Sequence, residues 1–155
     1  MQQITKEEEA RFNELCLMAM DFARKNDVDT LQNMIKVGLN PNLKDHKGNT
    51  FLMIASYNGN LETSKMLLEN GALVDEKNDR GQTPLAGVCF KGYLDIVKLL
   101  VEHGANMDEN CGMGMTPYSF AVMFGRKDVV NYLLEKSQNK TALKKMSSKV
   151  LGILK

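Results

Sequence analysis

The 155-residue chain is 43% apolar and 25% charged with a formal net charge of +1, which fits one ordinary globular domain and gives no global pull toward nucleic acid or an acidic membrane. Three cysteines without a CxxC pair and two histidines argue against a disulfide framework and a zinc site, and no run of about 18 apolar residues marks a membrane span. The start, MQQITKEEEARF, lacks a basic segment followed by an apolar one, so a cytoplasmic protein with reduced thiols is expected.

The first predicted element is a helix over residues 5–25. Thr5 and Glu8 have capping-box spacing, and Phe12, Leu15, Ala19 and Phe22 follow at helical intervals. After it the chain becomes periodic. Gly48, Gly81 and Gly114 are 33 residues apart, and Thr50, Thr83 and Thr116 keep the same step. So do Gly59, Gly92 and Gly125, while Gly38, Gly71 and Gly104 close the intervening apolar stretches. Each period reads as a turn (Asp45 to Gly48, Asn78 to Gly81), a short helix opened by Thr, a glycine, a second helix and another glycine. A threonine hydroxyl can satisfy free N–H groups at a helix start, Pro84 and Pro117 suit a first turn, and glycine tolerates the left-handed backbone of a helix end.

One such hairpin cannot bury its own apolar face. Leu52, Ala55, Leu67 and Leu68 are therefore expected to pack against Leu85, Val88, Leu100 and Val101 of the next unit. Beyond Ser137, the residues Leu143, Met146, Val150, Ile153 and Leu154 form a further apolar stripe suited to covering the last repeat.

The segments Gly81 to Asn106 (GQTPLAGVCFKGYLDIVKLLVEHGAN) and Gly48 to Asp75 (GNTFLMIASYNGNLETSKMLLENGALVD) resemble the ankyrin repeat. The resemblance spans roughly residues 12–137, with Leu15 to Asn42 as a degenerate first repeat. It implies an all-α ankyrin-repeat solenoid of about four helix-turn-helix repeats with N- and C-terminal cap helices. The corresponding division is 5–44 for the N-terminal cap and degenerate repeat, 45–77, 78–110 and 111–137 for three repeats, and 138–155 for a C-terminal cap helix. The histidine usual in the family's TPLH tetrapeptide is missing from TFLM, TPLA and TPYS at Thr50, Thr83 and Thr116, which puts one hydrogen-bond system in doubt.

The resemblance also implies a concave face lined by turns and first helices. The pairs just before each helix-closing residue would project from it: Arg24 and Lys25, Tyr57 and Asn58, Phe90 and Lys91, Met123 and Phe124. Tyr57, Phe90, Met123 and Phe124 would make an apolar strip with a cationic first end, extended by Met113 and Met115.

Two readings of that strip stay open. One is a non-enzymatic protein-interaction surface, with aromatic anchors rimmed by cations, on a monomer. The other is haem, carried as a transported ligand and not as a required cofactor. Tyr57 would ligate the iron, with His46 as a second ligand; Phe90 would pack on the ring, and Arg24, Lys25 or Lys91 would meet the propionates. This second reading resembles small bacterial ankyrin proteins that accompany catalase and hand haem to it, so catalase would be the partner.

Catalysis is a remote third reading. His46 and His103 fall in different parts of the repeat, Cys89 is expected to pack between helices, and the acid runs Glu7 to Glu9 and Asp108-Glu109 lack a partner for acid–base work. Lys136 to Lys155 holds six lysines and no acid, but without interleaved aromatics it reads as a solvated cap face and not as a nucleic-acid arm.

Overall fold

Thr50, Thr83 and Thr116 each end an extended segment and open a helix. Their hydroxyls accept the backbone N–H three residues on, from Met53 at 3.2 Å, Ala86 at 3.2 Å and Ser119 at 3.3 Å. Pro84 and Pro117 occupy the first helical turn, where no intrahelical N–H is needed. A computed structural model describes residues 3–153, with the side chains at positions 146, 150, 151 and 153 outside the description. Among the described residues the regular structure is entirely helical, apart from an isolated bridge between Lys44 and Thr50.

The helices divide between two compact units. The first, Met1–Ala72, holds α1 (Lys6–Lys25), α2 (Val28–Lys36), α3 (Phe51–Tyr57) and α4 (Leu61–Glu69). Within it α1 packs on α3 and α2 on α4, so two helical hairpins lie side by side. The second, Leu73–Lys155, holds α5 (Pro84–Lys91), α6 (Leu94–Glu102), α7 (Pro117–Met123), α8 (Lys127–Lys136) and α9 (Lys140–Ile153). Here α5 packs on α7 and α6 on α8, and α9 covers α7 and α8.

Burial follows the 33-residue step. Ala19, Leu52, Leu85 and Tyr118 share one first-helix position, and all are buried. Leu67, Leu100 and Leu133 share a second-helix position with the same result. Of the predicted core residues, Leu52, Ala55, Leu67, Leu85, Val88 and Leu100 are completely covered, while Leu68 and Val101 are half-exposed. Those two sit one residue, about 100° of helix, past the inward-facing leucine, so they look along the layer and not into it.

The N-terminal helix has its predicted capping box: Glu8 N–H donates to Thr5 Oγ1 at 3.2 Å, and Thr5 N–H donates to Glu8 Oε2 at 2.8 Å. Only its second half is packed, through Ala19, Met20 and Ala23. Phe12 and Leu15, on the same apolar stripe, are 51% and 49% exposed. In the C-terminal cap Leu143 is buried as expected, whereas the Met146, Val150 and Ile153 side chains and Leu154 lie outside the described residues.

Side chains also bridge one hairpin to the next at helix ends. Asn26 closes α1 in the left-handed region, at φ 60°, and its Oδ1 accepts the Thr63 hydroxyl at 2.7 Å. Asn60, at the start of α4, returns the bond: its amide donates to the Ala23 and Arg24 carbonyls at 2.9 and 2.8 Å. One full repeat pair later in sequence, Arg126 does the same within the second unit, its Nε donating to the Phe90 carbonyl at 2.9 Å. Gly92, at φ 83°, makes room for this arm, because a Cβ there would stand 2.7 Å from Arg126 Cδ.

Asn26→Ala should lower stability by about 1–3 kcal/mol, since it loses both the bridging bond and a residue that tolerates left-handed backbone. Asn26→Gly retains the backbone freedom and should cost clearly less. Urea denaturation of the two variants checks the order; equal losses would mean that the side-chain bridge carries the whole effect.

Candidate partner-binding surface

In the second unit, the end of α5 meets the end of α7. The Phe90 and Phe124 rings pack edge to face, with centroids 4.5 Å apart and planes at 74°. Phe90 is half-buried and Phe124 remains 43% exposed. Met123, the repeat equivalent of Phe90, is half-buried like it, and Phe124 as the residue after α7 provides the ring. Lys91 lies over the Tyr93 ring at 5.7 Å, and Arg126 is anchored on the Phe90 carbonyl beside them. An apolar edge with fixed cationic neighbours is thus built from α5, α7 and the start of α8.

The turn before α7 differs from the other two. In the first, Asp45 Oδ1 accepts the Lys47 and Asn49 N–H groups at 2.8 and 2.9 Å. Against the upward push of burial, those donors, the Asn49 amide and the charge of His46 hold the Asp45 carboxyl below its usual range. In the second, Asn78 Oδ1 accepts the Arg80 and Gln82 N–H groups, both at 3.0 Å. Cys111 stands at the same position in the third and cannot accept this way; its thiol faces the Thr83 hydroxyl at 3.8 Å. Asn110 Oδ1 takes over, accepting Gly112 N–H at 3.0 Å.

The shifted acceptor leaves Gly112, Met113 and Gly114 in succession at φ 101°, 51° and 72°. Met113 is therefore held in a conformation disfavoured for a side-chain-bearing residue, with its side chain wholly exposed at the tip. Met115 is half-buried. The turn is tied to its neighbour in the same unit, because Lys77 bridges Glu109 at 2.6 Å and donates to the Asn110 carbonyl at 3.1 Å. Met113→Gly should raise stability by up to about 1 kcal/mol, the relief of left-handed strain less glycine's extra unfolded-state freedom. A thermal melt with a lower midpoint than wild type would contradict this account of the turn.

In the first unit, Tyr57 is the last residue of α3 and 43% exposed. Asn58 is exposed as well, yet its amide donates to the Ile54 carbonyl at 2.8 Å and so closes its own helix. Arg24 pairs with Asp21 on α1, and Lys25 beside it is exposed. His46 is exposed in the turn between Asp45 and Gly48. Cys89 is completely buried, as expected, and burial first, then the nearby Cys111, pushes its thiol far above the ordinary value, which makes it a packing residue.

Asn26, Asn60 and Arg126 are not among the candidate residues that the sequence marks, although positions 60 and 126 directly follow glycines of one ladder.

A sequence-family model described as ankyrin repeats (3 copies) matches residues 15–111 and 65–144. Over 46 residues the chain is 41% identical to a Pseudomonas aeruginosa protein provisionally named as an ankyrin repeat protein. That match covers 30% of this chain and 27% of the relative's length. Ankyrin repeats serve in general as protein–protein interaction modules. With family matches running through most of the sequence, and with threonine-capped hairpins recurring every 33 residues, the chain belongs to the ankyrin-repeat family.

Proposed function

We propose that this protein is a non-catalytic cytoplasmic binding module that holds a partner protein on the α5–α7 surface. The observation that carries the reading is the Phe90–Phe124 pair, which keeps a large ring 43% exposed on a rigid base. Two packed rings lose little side-chain freedom when a partner covers them, so such residues make good anchors. Lys91 and Arg126 beside the rings favour a partner segment that sets an apolar residue next to a carboxylate. Met113 at the neighbouring turn offers an adaptable second contact. Free Cys16, Cys89 and Cys111 suit a reducing compartment, and no helix among the described residues is long and apolar enough to cross a membrane.

The test is site-specific photocrosslinking in cells, with the reactive group at position 124 and, as control, at exposed position 102 on α6. A defined partner captured from position 124 alone is expected, and its affinity should fall at least about tenfold when Phe90 and Phe124 are both changed to Ala. Equal capture from both positions, or unchanged affinity, would overturn the assignment.

A narrower reading, hemin carriage toward catalase, rests on the exposure of Tyr57 at the end of α3. With Arg24 engaged by Asp21, this reading asks Lys25 to meet a propionate, and Tyr57 to supply the iron ligand. A hemin titration followed by visible absorption separates it from the first reading. Saturable binding lost in Tyr57→Ala supports carriage, and unsaturable binding equal in both proteins removes it.

A further inference from the structure

The first helix is longer than its repeat requires. The corresponding first helices α3, α5 and α7 have 7, 8 and 7 residues, whereas α1 has 20. Its last two turns, carrying Ala19, Met20 and Ala23, fill the repeat position. The preceding residues 6–17 continue as an overhang of about 18 Å. Phe12 and Leu15 prolong the same stripe that buries Ala19 and Ala23, yet both are about half exposed, and Leu17 and Met18 are exposed too. An apolar face continuous with a packed one has the character of an interface cut short.

Charge indicates what covers it. The overhang carries Glu7, Glu8, Glu9 and Glu14 against Lys6 and Arg11, all exposed. The opposite balance occurs on α9, the cap of the second unit, where Lys140, Lys144, Lys145 and Lys149 are exposed and no acid occurs. Pairing α1 with α1 would set glutamates against glutamates, while pairing it with α9 opposes unlike charges. We propose that the α1 overhang receives α9 of a second copy of this chain, in a contact between two unlike surfaces. The contact joins two different surfaces of the chain, so one copy can engage a partner through either of them. Its modest size makes it weak and dependent on concentration and salt.

Sedimentation equilibrium of the full chain tests this from about 10 µM to about 1 mM. The mass should rise above the 17.4 kDa of one chain with concentration and return to it in about 0.5 M salt. Phe12→Ser with Leu15→Ser, which removes the apolar contact without adding charge, and separately Lys144→Glu with Lys145→Glu, should each weaken association at least about tenfold. All four positions are exposed, so both proteins should keep the wild-type circular dichroism. The decisive sample is an equimolar mixture of the two variants. Each retains the end the other lacks, so the mixture should form a particle of twice the chain mass and nothing larger. A wild type that stays at 17.4 kDa throughout, or an α9 variant that associates as wild type does, would overturn the proposal.

Discussion

Leu100→Ala is expected to lower the unfolding free energy by about 3–5 kcal/mol, and Val101→Ala, one residue away, by about 1 kcal/mol or less. Leu100 is completely covered and occupies the second-helix position that Leu67 and Leu133 fill one repeat earlier and one repeat later in the sequence. Removing it deletes apolar contact and leaves a cavity on the inward side of α6, which packs on α5 and α8. Val101 is half-exposed, so water can occupy the space its methyl groups vacate. Chemical denaturation with the two variants side by side measures the difference. Comparable losses would mean that the 33-residue register does not set the inward direction of α6, and the assignment of its core face would fail.

That register is the part of the structure most legible in the sequence. Gly48, Gly81 and Gly114 adopt nearly the same backbone, at φ 74°, 75° and 72°, because each directly precedes the residue whose carbonyl closes its turn, Asn49, Gln82 and Met115. Thr50, Thr83 and Thr116 cap the helices that follow with nearly equal geometry. Local chemistry of this kind acts over three or four residues, and a periodic sequence repeats it visibly.

Contacts that depend on what lies one repeat away were less legible. The ladder marks both Met123 and Phe124 for the strip with Phe90, but does not say which of them meets its ring; Phe124, the residue after α7, makes the ring contact. The stripe of Phe12, Leu15 and Ala19 predicted a helix correctly, yet periodicity identifies a face without naming what covers it. The pair Arg24 and Lys25 read as a cationic rim, while Asp21, one turn earlier, engages the arginine. In each case a neighbour or a partner, and not the residue's own type, decides its availability.

Tyr118→Ala should cost about 3–5 kcal/mol and release α9, whereas Tyr118→Phe should cost only about 0.5–1.5 kcal/mol. Tyr118 stands where Leu52 and Leu85 stand in the other repeats, and its ring is 1% exposed. A leucine at this position would end inside the layer. The longer tyrosine reaches the cap, where its hydroxyl meets Ser147 Oγ at 2.8 Å, and Ser147 in turn donates to the Leu143 carbonyl at 2.9 Å. The ring therefore fills the core of the last repeat, and the hydroxyl fixes the side of α9 that packs on α7. Tyr118→Phe would leave Ser147 its helix carbonyl, so combining it with Ser147→Ala should cost less than the sum of the two single changes. Amide exchange over residues 140–149 separates cap release from general unfolding, because Tyr118→Ala should unprotect that segment at denaturant concentrations where α6 is still protected. Loss of protection in α6 and α9 together would show the cap and the repeat to be a single cooperative unit.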